Sequence, residues 1–140
     1  MKNDLTFTII KPSAVKDGNF GRILQMITDE GFNVRALKLT KLTQNQAENF
    51  YFIHKGKPFF EELVTYMTSG LVIVAVLSRE DAVSSFRNFI GVTNPNKAEK
   101  GTIRELFGKS ITQNAIHGSD SNENASIEME FFFKRNEIYL

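Results

Sequence analysis

The segment over residues 114–121 carries the side chains most suited to chemistry. It reads Asn-Ala-Ile-His-Gly-Ser-Asp-Ser and contains His117, one of only two histidines in the chain. Imidazole has an ordinary pKa of about 6.5, so at pH 7 one ring nitrogen keeps a lone pair for nucleophilic attack or proton transfer. Gly118 removes a Cβ beside the ring, while Ser119 and Asp120 offer partners that orient it. The segment predicts a reactive histidine, and the alternative is a solvated loop histidine.

Positive side chains recur where strands and helices are expected to end. Lys11, Arg87 and Arg104 are far apart in sequence, and each alone is usually a solvated surface residue. Together they resemble a triphosphate site, because phosphoryl transfer needs positive charge opposite the transferring oxygens. Phe59 and Phe60 are adjacent, and on a helix only one of two neighbours faces the core. The other is then free to stack on a flat ligand, and the alternative is that both pack inside.

Composition limits the class of protein. With 140 residues, 41% apolar residues and 13 phenylalanines, the chain has the size of one compact domain, so we expect a single domain over residues 1–140. A formal net charge of +1 provides no global field for nucleic acid or an anionic membrane, so neither is expected as a partner. The chain has no cysteine, which excludes disulfides and thiolate zinc sites. A metal, if used, is expected to arrive with a ligand.

Several common sequence signals are absent. Gly108-Lys109-Ser110 resembles the end of a P-loop, but Ile103 stands where that motif requires glycine, and no Gly-x-Gly-x-x-Gly fingerprint occurs. Residues 1–5 run directly into a strand-like pattern, and the longest apolar run, residues 71–77, is far too short to span a bilayer. A cytoplasmic protein is therefore expected.

Three strands are predicted from the apolar pattern. The first ends at Lys11-Pro12, where proline interrupts the ladder. The second covers residues 32–39, and its apolar phase shifts near Ala36-Leu37, which indicates a bulge or a strand buried on both faces. The third is the unbroken run over residues 71–77, which is typical of a central strand.

Helices are predicted between and after these strands. Residues suited to start helices are Thr43, Ser78, Thr102 and Ser121. Residues 91–101 lack periodicity, and a loop of this length in a small domain usually has a function. The final segment carries Glu128 and fits a helix, although alternation over residues 127–131 also fits a strand. The order of elements predicts an α+β fold of the ferredoxin-like, split βαβ type, with helices covering one face of an antiparallel sheet.

Six motifs resemble those of the nucleoside diphosphate kinase family over essentially the whole chain. They are Ile10-Lys11-Pro12, Lys57-Pro58-Phe59-Phe60, Tyr66-Met67-Thr68-Ser69-Gly70, Gly91-Val92-Thr93-Asn94-Pro95, Gly101-Thr102-Ile103-Arg104, and the segment over residues 114–121. The last of these is highly specific. The chain ends at Leu140 without the longer C-terminal extension of many eukaryotic members, so it resembles the bacterial type.

The resemblance implies transfer of the γ-phosphate of a nucleoside triphosphate to a nucleoside diphosphate. The route would be ping-pong, through a phosphohistidine formed at Nδ1 of His117, with Glu128 and Ser119 orienting the imidazole. By position in the family pattern, the phosphates would be held by Lys11, Tyr51, Arg87, Thr93 and Arg104, of which Lys11 and Tyr51 also count as catalytic. Lys11 and Asn114 would reach the ribose hydroxyls, and Phe59 and Ile111 would sandwich the base.

The resemblance also implies the cofactor and the assembly. Mg²⁺ would enter bound to the β- and γ-phosphates rather than on protein ligands, and the protein would be a homo-oligomer, either a hexamer or a tetramer. Stacking hardly discriminates among bases, so purine and pyrimidine nucleotides should both be accepted. Four residues depart from the family pattern without removing a named catalytic group; they are Ser13, Ile53, Leu71 and Lys100.

Two other functions fit parts of the same pattern. The chain could be a homologue retained as an interaction or regulatory module, but every charged and aromatic site residue is present, which argues against disuse. A phosphohistidine relay domain would need neither a base sandwich nor ribose contacts, so Phe59 and Asn114 argue against it.

Overall fold

A four-stranded antiparallel sheet forms the centre of the molecule. The computed structural model describes residues 4–140, so residues 1–3, which we expected to run directly into the first strand, lie outside the described residues. The strands are β1 (Leu5–Ile10), β2 (Asn33–Thr40), β3 (Val72–Ser78) and β4 (Ile116–Gly118). They lie in the order β2-β3-β1-β4, and each neighbouring pair is antiparallel. This topology confirms the predicted ferredoxin-like α+β fold.

Helices pack on both faces of the sheet, so the expectation of one covered face was wrong. Residues 4–140 form the helices α1 (Pro12–Lys16), α2 (Phe20–Asp29), α3 (Gln44–Phe50), α4 (Phe60–Met67), α5 (Ala82–Ile90), α6 (Ile103–Phe107) and α7 (Asn122–Phe132). Every residue of β3 is buried, and its side chains alternate between two apolar clusters. One cluster includes residues of α3, α4 and α7, and the other includes residues of α2, α5 and α6. The two-sided burial follows from the unbroken apolar run of β3.

Helix starts agree with the capping residues, with one exception. Thr43 forms a full capping box with Gln46, and the Ser121 hydroxyl accepts from the backbone N–H of Asn124. The final segment is therefore the helix α7, not a strand. Ser78 does not start a helix, because it is the last residue of β3, and α5 begins after Asp81. Pairing with both β1 and β2 extends the strand through Ser78.

The short strand β4 was not predicted. It has three residues, too few to show an alternating pattern, and it is defined by its pairing with β1. Of the two alternatives for the phase shift in β2, the structure has the bulge, as a shift of register between Val34 and Ala36. Within the described part of the chain, no helix is long and apolar enough to cross a membrane.

Candidate active site

His117 lies in the middle of β4 with its imidazole against a carboxylate of α7. It pairs with Ile9 of β1, and its carbonyl accepts a hydrogen bond of 2.7 Å from the Thr8 hydroxyl. Nε2 of His117 lies 2.8 Å from Oε1 of Glu128. A carboxylate can only accept, so Nε2 carries the hydrogen and Nδ1 keeps the lone pair. In this tautomer Nδ1 is the ring nitrogen with a lone pair available for chemistry.

Ser119 contacts the same carboxylate of Glu128. Its buried hydroxyl lies 2.7 Å from Oε1 of Glu128 and 3.3 Å from the carbonyl oxygen of Phe7, with the geometry to donate to either. Asp120 was expected to help orient the ring, but the structure places its carboxylate on Asn124, at 2.6 Å from Nδ2. The carboxylate that contacts Nε2 of His117 comes from α7, and that helix packs against β1, the strand that pairs with β4.

Two aromatic rings pack against the imidazole of His117. The Phe50 ring centroid lies 5.3 Å from that of His117, nearly edge-on, and the Phe7 ring lies 6.3 Å away. Edge-to-face packing of this kind restricts the orientation of a ring. Gly118 also matters for packing, because a Cβ there would meet Phe86 and Ile90 of α5 at 3.1 and 3.2 Å. This glycine permits close packing of β4 on α5.

Lys11 is buried at the carboxyl end of β1. Its Nζ donates a 2.7 Å hydrogen bond to Oδ1 of Asn114, with the Thr112 carbonyl at 3.5 Å. Burial, together with repulsion from Arg104, lowers the pKa of Lys11 to about 7. The ammonium is thus only partly protonated at neutral pH, and a bound anion would favour its charged form.

Two arginines converge on the same region. Arg104 donates to the carbonyls of Gly91 and Ile116, both at 2.9 Å, and its buried Nε has no partner among residues 4–140. Burial, with the neighbouring charge of Arg87, lowers the pKa of Arg104 to about 10, so it stays cationic at pH 7. Arg87 donates to the Gly118 carbonyl at 3.2 Å.

Tyr51 presents a second buried polar atom without a partner. Its hydroxyl has no hydrogen-bond partner in the described part of the chain, although buried hydroxyls are normally bonded. Burial, with the charges of Glu128 and Tyr66, raises the pKa of Tyr51 well above its usual range. The hydroxyl therefore stays protonated and can donate to a ligand.

Asn114 is held by a strained turn at the start of β4. Its Nδ2 donates to the Thr93 carbonyl at 3.0 Å, while its Oδ1 accepts from Lys11. The next residue, Ala115, has φ of 77°, a left-handed conformation that costs a residue with a Cβ about 1 to 3 kcal/mol. The turn is retained because the Ala115 carbonyl accepts from the Lys11 backbone N–H at 2.8 Å.

One cleft of about 530 Å³ brings the predicted residues together. Its lining includes Lys11, Tyr51, Phe59, Arg87, Thr93, Arg104, Ile111, Asn114, His117 and Glu128. Ser119 is the one predicted residue outside the lining. Its side chain is fully buried and bonds to Glu128, which does line the cleft. Phe60 packs in the core while Phe59 is 41% exposed, so the two adjacent aromatic residues divide as the helical spacing predicts.

Some residues of the cleft were not singled out by the sequence. His54 and Asn124 line it beside the predicted set, and Ile53, noted only as a departure from the family pattern, lines it too. A signal for His54 was available, because it follows Tyr51 by three residues and precedes Phe59 by five. Such proximity in sequence suggests that His54 shares the site. The turn has no repeating apolar pattern, however, so the sequence did not indicate which way its side chains face.

Comparisons with known proteins agree with this architecture. A family model described as nucleoside diphosphate kinase matches residues 4–138. A nucleoside diphosphate kinase of Campylobacter jejuni subsp. doylei is 54% identical over 134 residues, 96% of this chain and 98% of that protein. The structure of the Aquifex aeolicus nucleoside diphosphate kinase has a TM-score of 0.93 and 43% identity, covering 96% of this chain and 98% of that one. A Halobacterium salinarum nucleoside diphosphate kinase in complex with CDP has a TM-score of 0.94 and 32% identity, covering 99% and 92%.

These matches extend over nearly the whole chain, and they share one class of enzyme, the phosphotransferases that act on nucleotides. The chain belongs to the nucleoside diphosphate kinase family. The resemblance found in its motifs is thereby confirmed, together with the enzyme class.

Proposed function

We propose that the protein transfers the γ-phosphate of a nucleoside triphosphate to a nucleoside diphosphate through a phosphohistidine on His117. The observation that carries this proposal is the contact between Nε2 of His117 and Glu128, which leaves Nδ1 as the nucleophile in a cleft lined by cations. Fixing the tautomer by a carboxylate is the means by which other catalytic histidines are oriented.

The reaction balances in two steps. In the first, the Nδ1 lone pair forms a bond to the γ-phosphorus while the bond from that phosphorus to the β,γ-bridging oxygen breaks, and the nucleoside diphosphate leaves. In the second, a terminal β-phosphate oxygen of another nucleoside diphosphate attacks the phosphorus, and the bond to Nδ1 returns its electrons to the ring. Glu128 stabilises the positive ring between the steps, and Ser119 keeps that carboxylate in place.

Phosphate binding is assigned to Lys11, Tyr51, Arg87, Thr93 and Arg104. Two observations support this assignment. The buried Nε of Arg104 and the hydroxyl of Tyr51 lack partners in the described residues, and both belong to side chains that line the cleft. A phosphate oxygen would satisfy such donors and remove the cost of leaving them unpaired.

Nucleoside binding is assigned to Phe59, Ile111, Asn114 and Lys11. Phe59 and Ile111 line the cleft and are substantially exposed, as a pair that stacks on both faces of a base should be. Stacking depends little on the identity of the base, so broad acceptance of purine and pyrimidine nucleotides follows. The hydroxyls of the ribose would bind Lys11 and Asn114, which already bond one another.

Mg²⁺ is proposed to be held by the nucleotide phosphates. The charged side chains placed for phosphate binding are Lys11, Arg87 and Arg104, which attract phosphate oxygens and repel a free cation. Bound to the nucleotide, the metal would neutralise part of the phosphate charge. A cytoplasmic location remains the prediction from the sequence, which fractionation of cells would check.

Labelling with ATP carrying a radioactive γ-phosphate tests the proposed function. We expect a phosphoprotein that is stable in alkali and labile in acid, as phosphohistidine is, and that any of several added nucleoside diphosphates discharges. Absence of label would reject the phosphohistidine route. If only another protein removes the label, the result would instead support a relay domain. If only the nucleoside diphosphate of one base removes it, broad specificity would be rejected.

We also propose that the protein is a homo-oligomer, a hexamer or a tetramer. β2 lies at an edge of the sheet and exposes Val34, Leu37 and Leu39, the last of them by 58%. Exposed apolar side chains along an edge strand are typical of a surface that binds another chain. The native mass in solution should therefore be that of a hexamer or a tetramer, and a monomer at working concentrations would contradict the proposal.

A further inference from the structure

His54 lines the cleft and stands in the chain between Tyr51 and Phe59, the residue assigned to stack on the base. It ends a 3₁₀ turn (Phe52–His54) that directly follows Tyr51. Its backbone N–H donates to the Tyr51 carbonyl at 2.8 Å, and its carbonyl accepts from Lys57 at 3.0 Å. These two backbone hydrogen bonds link Tyr51, through His54, to Lys57, which lies two residues before Phe59.

The imidazole of His54 packs on the ring of Phe59. The two ring centroids are 5.1 Å apart, with the planes tilted by 58°. The other two residues of the turn, Phe52 and Ile53, are 62% and 77% exposed, whereas His54 is only partly exposed. His54 is therefore the residue of this turn that packs inward, and Phe59 still keeps 41% of its surface exposed for a ligand.

The electrostatic surroundings of His54 favour a neutral ring. Burial and the charge of Lys57 lower the pKa of His54, against the opposing charge of Asp120. Its Nδ1 is buried and has no hydrogen-bond partner among residues 4–140. A neutral ring contacting an aromatic neighbour contributes packing rather than charge.

We propose that His54 is a positioning residue that holds Phe59 in place as the platform for the base. The proposal rests on the function proposed above, because it takes Phe59 as the stacking residue. His54 then strengthens the binding of phosphate donors that carry a base, and it has no effect on the binding of donors that lack one. It contributes little to the transfer of phosphate, because its ring packs on Phe59, whereas the ring of His117 packs on Phe7 and Phe50.

The test compares two phosphate donors in single-turnover labelling of His117. ATP carries a base, and ribose 5-triphosphate does not. His54→Ala should raise the half-saturating concentration of ATP about two- to tenfold, the range expected for an aromatic contact, with an unchanged maximal rate. The half-saturating concentration of ribose 5-triphosphate should not change. His54→Phe, which keeps a flat ring against Phe59, should restore the value for ATP.

Lys55→Ala is the matched control, because Lys55 directly follows the same turn and contacts Phe52 rather than Phe59. It should behave as the unaltered protein with both donors, and melting temperatures show whether each variant is folded. An unchanged value for ATP in His54→Ala, an equal loss with both donors, or a failure of His54→Phe to restore binding would overturn the proposal. Failure of the proposed function is distinguishable, because the unaltered protein would then form no acid-labile label with either donor.

Discussion

His117→Ala will lower the rate of phosphate transfer by at least about 10⁴-fold, the scale seen when a covalent nucleophile is removed elsewhere. The physical reason is that the variant has no lone pair at the position that Glu128 orients. Affinity for nucleotide should change little, because the phosphates and the base are assigned to other residues of the cleft. The rate is measured as transfer from ATP to a nucleoside diphosphate, and the affinity by equilibrium titration of the same preparation.

The melting temperature of His117→Ala provides the control for folding. Glu128 retains the hydrogen bond from Ser119 in that variant, so its carboxylate is not left without a partner. A folded His117→Ala protein that still turns over at a substantial rate would contradict the mechanism. Loss of nucleotide affinity together with the rate would show instead that the ring contributes to binding.

Arg104→Met will lower the rate by about 10³-fold or more and will also weaken nucleotide binding. Arg104 is buried, it remains cationic at pH 7, and its Nε lacks a partner among the described residues. A methionine keeps an unbranched apolar stem but removes the charge that would face the transferring oxygens. Steady-state rates at saturating and limiting nucleotide separate the two effects.

Arg79→Met is the matched control for this prediction. The Arg79 guanidinium packs over the Phe32 ring, at 4.9 Å from its centroid, and Arg79 is outside the lining of the cleft. Its rate should stay within about twofold of the unaltered protein, as expected for a surface substitution away from the site. Arg104 also bonds two backbone carbonyls, so Arg104→Lys supplies a second variant that keeps charge if the methionine variant does not fold. A normal rate in folded Arg104→Met protein, or a rate in Arg104→Lys no higher than that of an inactive, folded Arg104→Met protein, would show that the charge of Arg104 is not opposite the phosphates.

The sequence predicted the elements whose side-chain pattern is long enough to read. The first strand, the central strand and the helix carrying Glu128 are present as expected, and the phase shift in β2 corresponds to a bulge, one of its two alternatives. The prediction failed where a pattern was short or ambiguous. β4 has three residues and exists only through its pairing with β1. Ser78 has a side chain suited to a helix start, but sheet pairing on both sides keeps it in β3.

The same distinction applies to the candidate site. Residue types and local motifs were sufficient to name His117, Lys11, Arg104 and Phe59, and the structure brings them to one cleft, while their roles stay proposals. The contact of His54 with Phe59 could not be predicted, because it depends on how a turn folds back. The orienting partner of the histidine was also ambiguous, since Asp120 is closer in sequence than Glu128.

What the sequence determined by itself was the chemistry available to this protein: one histidine in a distinctive segment, cations at the ends of elements, and apolar runs that require a sheet. These properties depend on side-chain type and on spacing over a few residues. The tertiary structure alone decided which carboxylate reaches Nε2, which polar atoms are left buried without partners, and that helices cover both faces. Those outcomes arise from contacts between residues distant in the chain, such as His117 with Ile9 of β1, and no local pattern encodes their distances.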